Sequence, residues 1–497
     1  MMNYRNKSTN DIIMNIRQAN FISEQISTKR FSLFFLASLI FLISGLYLFR
    51  VTYKGYATEL TAICGSWVVA LISLIPLFFW AWGLSSNKAF KMALILWIPI
   101  KFVLFLFVDP SFITFSADGI PIHNIYGLAV SNYWNNGGAF IPPLSFFYSI
   151  SAAYPLLIYL IGGPYYIFGQ YPLVVYPWQG LFQFMDAILV YFCFRGTISD
   201  NRLDRKVALA GFLYVIFSPL WLILTTTLLR DVLILLALFL TLLGLKKILF
   251  VKDYSGFILF IGGCFLTALI RAQYLLLYML FIMVTPIYTR KQSRFNVPSI
   301  CLLALLTGVF VYWENSILAS GWQDIIHTLF LRNITIIGQT RGALLTSLFS
   351  PIKGLGAPVA FVFRIIGATV SPFPWYQENI VFASGGSIAT LILHIIGSCF
   401  RIFLLGLFIY GIMRLRQTLS ILTLWGQALS LFAVILLLAT IFAVPNFVRY
   451  IAPFYILVIP FIGDKIIRKK VLIDGMIMAV GFAAMLHIVY EILHHVL

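Results

Sequence analysis

The chain is 497 residues long, 61% hydrophobic and only 10% charged, with a mean hydropathy of +0.97; a water-soluble domain carries about 25% charged residues, so a soluble globular fold is excluded. A net charge of +18 would raise nucleic acid as a partner for a soluble protein, but here the Lys and Arg sit in short clusters between apolar runs. Such clusters are topology determinants beside anionic headgroups, so membrane lipids are the expected surroundings and nucleic acid is not a partner.

In chain order, residues 1–30 are polar and lack an apolar run leading to a small-residue cleavage site, so they read as a cytoplasmic tail and not a secretory signal. Apolar runs close to the roughly 20 residues a helix needs to cross a bilayer then recur to the C-terminus. They predict an all-α polytopic membrane protein with about thirteen transmembrane helices, at residues 31–50, 60–83, 92–108, 174–194, 207–225, 231–245, 256–271, 272–289, 297–313, 388–413, 419–443, 449–463 and 472–493. Residues 31–497 thus form a single transmembrane domain. Cys64, Cys193, Cys264, Cys301 and Cys399 fall in or beside these runs and read as small buried apolar residues. Lys101, Asp186, His394 and Arg401 fall inside spans, where the cost of exposing a charge to lipid requires them to face the bundle or water.

With the N-terminus inside, most of the 34 Lys and Arg lie on the cytoplasmic side, in groups such as Arg195, Arg202, Arg205 and Lys206. The apolar run from Ser149 to Gly169 tests that assignment. Counting it as a span inverts everything downstream and puts most cations outside, so it is predicted to lie in the interface, where its Tyr rings are favoured. Two outer loops remain, at about 109–170 and 314–387, each long enough to build a site, and the first should carry interfacial helices.

In that first loop Asp118 is followed by His123 and Tyr126, then by Leu128, Ala129 and Val130, as if a short helix began just after the acid. A carboxylate near a helix N-terminus and the membrane plane suits a general base acting on a hydroxyl; an ordinary turn or cap Asp is the competing reading.

The order Asp118, Tyr126, Ala129, then YPLLIYLIGGPYYIFG, then LVVYPWQGLFQFMDAILVYF resembles the GT-C class of membrane glycosyltransferases, such as the protein O-mannosyltransferases and the aminoarabinose transferase of lipid A. In those enzymes an acid in the first long outer loop precedes a Tyr and an Ala, an interfacial helix ending in Phe-Gly, and a span. This chain departs from them in placing three spans before the loop instead of one. It also has Gly119 where many of them have a second acid, which leaves a divalent cation at Asp118 open. The resemblance implies a sugar transferase fed by a polyprenyl phosphate, with Asp118 as its catalytic acid or base.

A cationic set accompanies it: Arg230 beside Asp231 in TTTLLRDVLILL, Arg271 in LTALIRAQYLLLYM, and Arg449 with Tyr450 in PNFVRYIAPFY, the last similar to the Arg-Tyr-x-x-Pro pattern of many glycosyltransferases and polysaccharide polymerases. Cations at outer span ends run against the positive-inside tendency, and guanidinium groups grip phosphate through forked hydrogen bonds. Local pairing of Arg230 with Asp231 is the plainer alternative. In the second loop Arg332, Arg341, Lys353 and Arg364 suit a diphosphate, Trp375 and Tyr376 suit stacking on a sugar ring, and Glu378 is a further substrate-binding candidate; a rigid proline turn is the plainer reading of PFPW.

The expected function is a membrane glycosyltransferase taking a sugar from a polyprenyl-phosphate or diphosphate donor to a glycan, lipid or protein acceptor, outside a bacterial inner membrane. A polysaccharide polymerase or ligase, or a lipid-linked oligosaccharide flippase, are the alternatives.

Overall fold

The computed structural model describes residues 31–52, 58–107, 122–143, 145–146, 155–225, 231–251, 253–271, 273–289, 303–305, 307–309, 388–443 and 447–467, with isolated helical positions at 473, 477 and 481. Among them there are helices and no strands; a single bridge pairs Ile198 with Leu422.

The helices begin with α1 (Phe31–Thr52), α2 (Glu59–Trp82) and α3 (Lys88–Phe107). Thr58 starts α2, its hydroxyl accepting from the Thr61 amide, with Glu59 in the positive first turn. Next come α4 (Ile122–Ala129), wound as a π-helix, its continuation α5 (Val130–Asn135), and α6 (Ile158–Phe168). A 3₁₀ turn at Pro172–Val174 leads into α7 (Tyr176–Phe194). Then follow α8 (Asn201–Phe217), α9 (Pro219–Leu224), α10 (Asp231–Leu245), α11 (Gly256–Arg271) and α12 (Gln273–Thr289). The last described group is α13 (Ile388–Met413), α14 (Leu415–Ile421), α15 (Leu424–Ala443), α16 (Phe447–Leu457) and α17 (Ile459–Ile467).

Among the described residues, five segments are long and apolar enough to cross a membrane: α1, α2, Pro172–Phe194, Asp231–Val251 and Ile395–Met413. The protein is therefore a membrane-embedded helical protein. The expected span at 207–225 is broken at Ser218, because Pro219 lacks an amide donor and disfavours helix in the residue before it. The expected span at 449–463 likewise breaks at Val458, two residues before Pro460. Those at 297–313 and 472–493 lie almost wholly outside the described residues. Of the cysteines, Cys193 and Cys264 are buried as expected, whereas Cys64 and Cys399 sit on outward helix faces and are exposed; Cys301 lies outside the described residues. Lys101, Asp186 and Arg401 are all buried in the bundle.

The α10–α11 hairpin is the most intimate packing. A Cβ on Gly263 would lie 2.6 Å from the Thr241 amide nitrogen, and one on Gly244 would lie 2.5 Å from that of Phe260. Bare backbone at both positions lets the helices touch, the usual device where helices associate without a hydrophobic drive from water. The loop between them is closed by Asp253, which accepts from the Ser255 amide at 3.0 Å and the Lys247 ammonium at 3.0 Å.

The two ends of the bundle are separately tied. At one end Thr423 N donates to Thr197 O at 2.9 Å, Ser199 N to Ile421 O at 3.0 Å, and Trp425 Nε1 to Cys193 O at 2.7 Å. Asp204 holds the same turn, accepting from the Gly196 and Ile198 amides and pairing with Arg195 at 3.1 Å. Burial nevertheless raises its carboxyl above the ordinary carboxylate range, against the opposing pull of those amides and Arg195. At the other end Arg50 Nη1 donates to Tyr166 O at 3.0 Å, and Gln170 Nε2 donates to Ser131 Oγ at 2.7 Å and Asn132 Oδ1 at 2.6 Å. Residues 131–132, 166 and 170 thus lie beside the end of α1, and the described helix α6 is shorter than the roughly 20 residues of a span.

Candidate functional site

Helices α4, α5 and α6 form a cap at the Arg50 end. Two glycines set their crossing: a Cβ on Gly127 would lie 2.4 Å from the Tyr165 ring, and one on Gly162 would lie 2.7 Å from the Tyr126 carbonyl. One bare position on each helix brings the Tyr165 ring over α4, where its hydroxyl meets His123 Nδ1 at 2.7 Å. Burial lowers the His123 pKa and raises that of Tyr165, so the pair is neutral at physiological pH. Helix α4 is wound as a π-helix, a form frequent at functional sites; His123 faces α6 through Tyr165, and Tyr126 is buried. Helix α6 ends at Phe168, and Gly169 turns the chain with φ +133°, a conformation open to glycine and strained for other residues. Phe168 packs on Phe49 and Trp178, with centroids 4.6 and 6.0 Å away, which seats the cap on α1 and α7.

Between this cap, α1 and α7 lies a groove of about 500 Å³. Its walls are apolar and aromatic, including Leu42 and Leu46 of α1, Trp134 of α5, Tyr159 of α6 and Phe182 of α7. Arg50 is the cation in its lining. The guanidinium lies 4.1 Å from the Tyr166 ring centroid, and Nη2 reaches Asn135 Oδ1 at 3.4 Å. Stacking and the Tyr166 carbonyl fix the plane of the guanidinium without neutralising it. An apolar trough ending in a positioned cation suits an amphiphile with a long hydrocarbon tail and an anionic head.

Of the residues singled out from sequence, His123 and Tyr126 both lie on α4 of the cap, and neither lines the groove. Asp231 is buried in the first turn of α10, where the helix dipole favours a carboxylate. Arg271 closes α11, and Arg449 and Tyr450 lie in the first turn of α16. Asp118, Arg230, Arg332, Arg341, Lys353, Arg364, Trp375, Tyr376 and Glu378 lie outside the described residues. Arg50 was not singled out, although it ends the first apolar run on the side where cations are scarce, the same signal that marked Arg230, Arg271 and Arg449. Tyr165 and Tyr166 carried no signal beyond their place in an interfacial aromatic run. Among the described residues no cluster of three His, Cys, Asp or Glu is placed to hold a metal.

Comparison with known proteins adds no family: no family model, no curated protein and no solved structure matches the chain.

Proposed function

We propose that the protein is a membrane glycosyltransferase of GT-C type, working at the outer face of a bacterial inner membrane with its N-terminus in the cytoplasm, and taking its sugar from a polyprenyl-phosphate or diphosphate donor. The observation that carries this reading is the apolar groove with Arg50 in its wall, lined in part by α5 and by α6, the helix whose Tyr165 bonds His123 of α4. The prenyl tail lies in the groove and the phosphate meets the Arg50 guanidinium. Asp118, four residues before α4, takes the proton of the acceptor hydroxyl. The acceptor oxygen then attacks the anomeric carbon from the side opposite the phosphate. The carbon to phosphate-oxygen bond breaks, its electron pair leaves on the phosphate, and Arg50 stabilises that growing negative charge. The neutral His123–Tyr165 pair holds α4 against α6.

The test is direct. Purified Asp118→Asn protein should lose sugar transfer by roughly 10²- to 10⁴-fold while binding a polyprenyl phosphate as the wild type does. Full transfer by the variant overturns the role of Asp118. Lipid movement across vesicles without any transfer chemistry, in the wild type, favours the flippase reading.

A further inference from the structure

We propose that a single small anion, chloride or an ion of its size, is held between α2, α3 and α7 against the ammonium of Lys101. This lysine is 2% exposed and stands well inside α3. Its Nζ donates to Thr225 Oγ1 at 2.5 Å and lies 5.1 Å from the Tyr176 ring centroid. The Thr225 hydroxyl turns its own proton toward backbone carbonyls, with Trp221 O at 2.8 Å and Leu222 O at 3.0 Å, so it accepts from the lysine without neutralising it. Among the described residues no carboxylate lies within ion-pair distance of Lys101.

Beside the ammonium is a cavity of about 20 Å³, walled by Trp67, Leu74, Trp97, Lys101, Tyr176 and Gly180. That is room for one water or one small ion. Trp97 is 3% exposed and its indole N–H has no acceptor. Tyr176 directs its hydroxyl at the Lys101 carbonyl, 3.3 Å away. Lys101 and Trp97, both carrying N–H donors, thus line one cavity whose other walls are mainly apolar. A water would accept a hydrogen bond there but would not hold the lysine in its charged form, as a bound anion does. An anion answers both, and leaving an uncompensated charge in an apolar interior is the costlier arrangement. The site lies on the face of α7 away from the groove and does not depend on the donor assigned above.

The experiment is thermal unfolding of the full-length protein in neutral detergent at constant ionic strength, with gluconate replaced stepwise by chloride or bromide. The wild type should gain stability saturably with either halide, and Lys101→Met should show no such gain. Trp97→Phe keeps the ring and removes only the N–H, and should raise the half-saturating halide concentration by roughly tenfold. Crystals grown in bromide should show one anomalous peak within hydrogen-bond reach of Lys101 Nζ. A wild type indifferent to the exchange, with water in the cavity, overturns the proposal, as does an undiminished halide response in Lys101→Met. Should Lys101→Met fail to fold, the Trp97→Phe titration and the bromide peak decide the matter.

Discussion

Arg50 illustrates how much one side chain's surroundings decide. A lone guanidinium at the end of an apolar helix is usually an anchor, yet here it is stacked on Tyr166 and bonded to that residue's carbonyl, which holds it at the groove. Arg50→Ala should weaken binding of a polyprenyl phosphate by about tenfold or more, and Arg50→Lys should restore little, since a point charge does not reproduce a stacked fork. Equilibrium binding with a tail-matched neutral prenol as control measures this; equal loss for both ligands would refute a phosphate role. His123 gives a pH prediction. Its pKa is lowered in the fold from the ordinary 6.5, chiefly by burial. The neutral form is therefore the one folding favours, and this contribution is complete above about pH 6.5 and is lost as the pH falls toward the depressed value. Hydrogen-exchange protection factors in residues 122–168, corrected for the intrinsic pH dependence of exchange, should fall between pH 7.5 and 5, and His123→Ala should remove that fall. Unchanged protection in the wild type would show that the pair does not hold the cap.

For whole helices, adjacent glycines in α11 offer a matched comparison. A methyl on Gly263 would meet Thr241, whereas one on Gly262 finds nothing within 4 Å. Gly263→Ala should therefore destabilise by about 1–3 kcal/mol through overpacking, and Gly262→Ala should be neutral or slightly stabilising because alanine is the better helix former. Melting temperatures of the two variants separate a packed hairpin from one merely adjacent in sequence. This is also where reading from sequence stops. Apolar run lengths anticipated α1, α2 and α7 as helices long enough to cross a membrane. His123 and Tyr126 fell within the cap, but the sequence did not show its construction. The crossing of α4 on α6 depends on Gly127 meeting Tyr165 and Gly162 meeting the Tyr126 carbonyl, and no local pattern encodes a partner chosen in three dimensions. The break after α8 was written in Pro219, but a run of apolar residues on both sides concealed it.

At the scale of the whole molecule, the two sets of end contacts make a statement about sides. Single cysteines placed at Thr52 and Asn136 in a cysteine-free background should react with an impermeant maleimide from the same side of the membrane, and cysteines at Asn201 and Tyr254 only from the other. Labelling of Thr52 and Asn136 from opposite faces would break the arrangement described for α1 and the cap. The paired turns around Thr197 and Thr423 carry one more implication. Because backbone hydrogen bonds sew those two stretches together, parting the helices there would strip several amides and carbonyls at once. Among the described residues α7 and α15 are thus fastened to one another at that end, and a path between these two helices would first have to break those bonds.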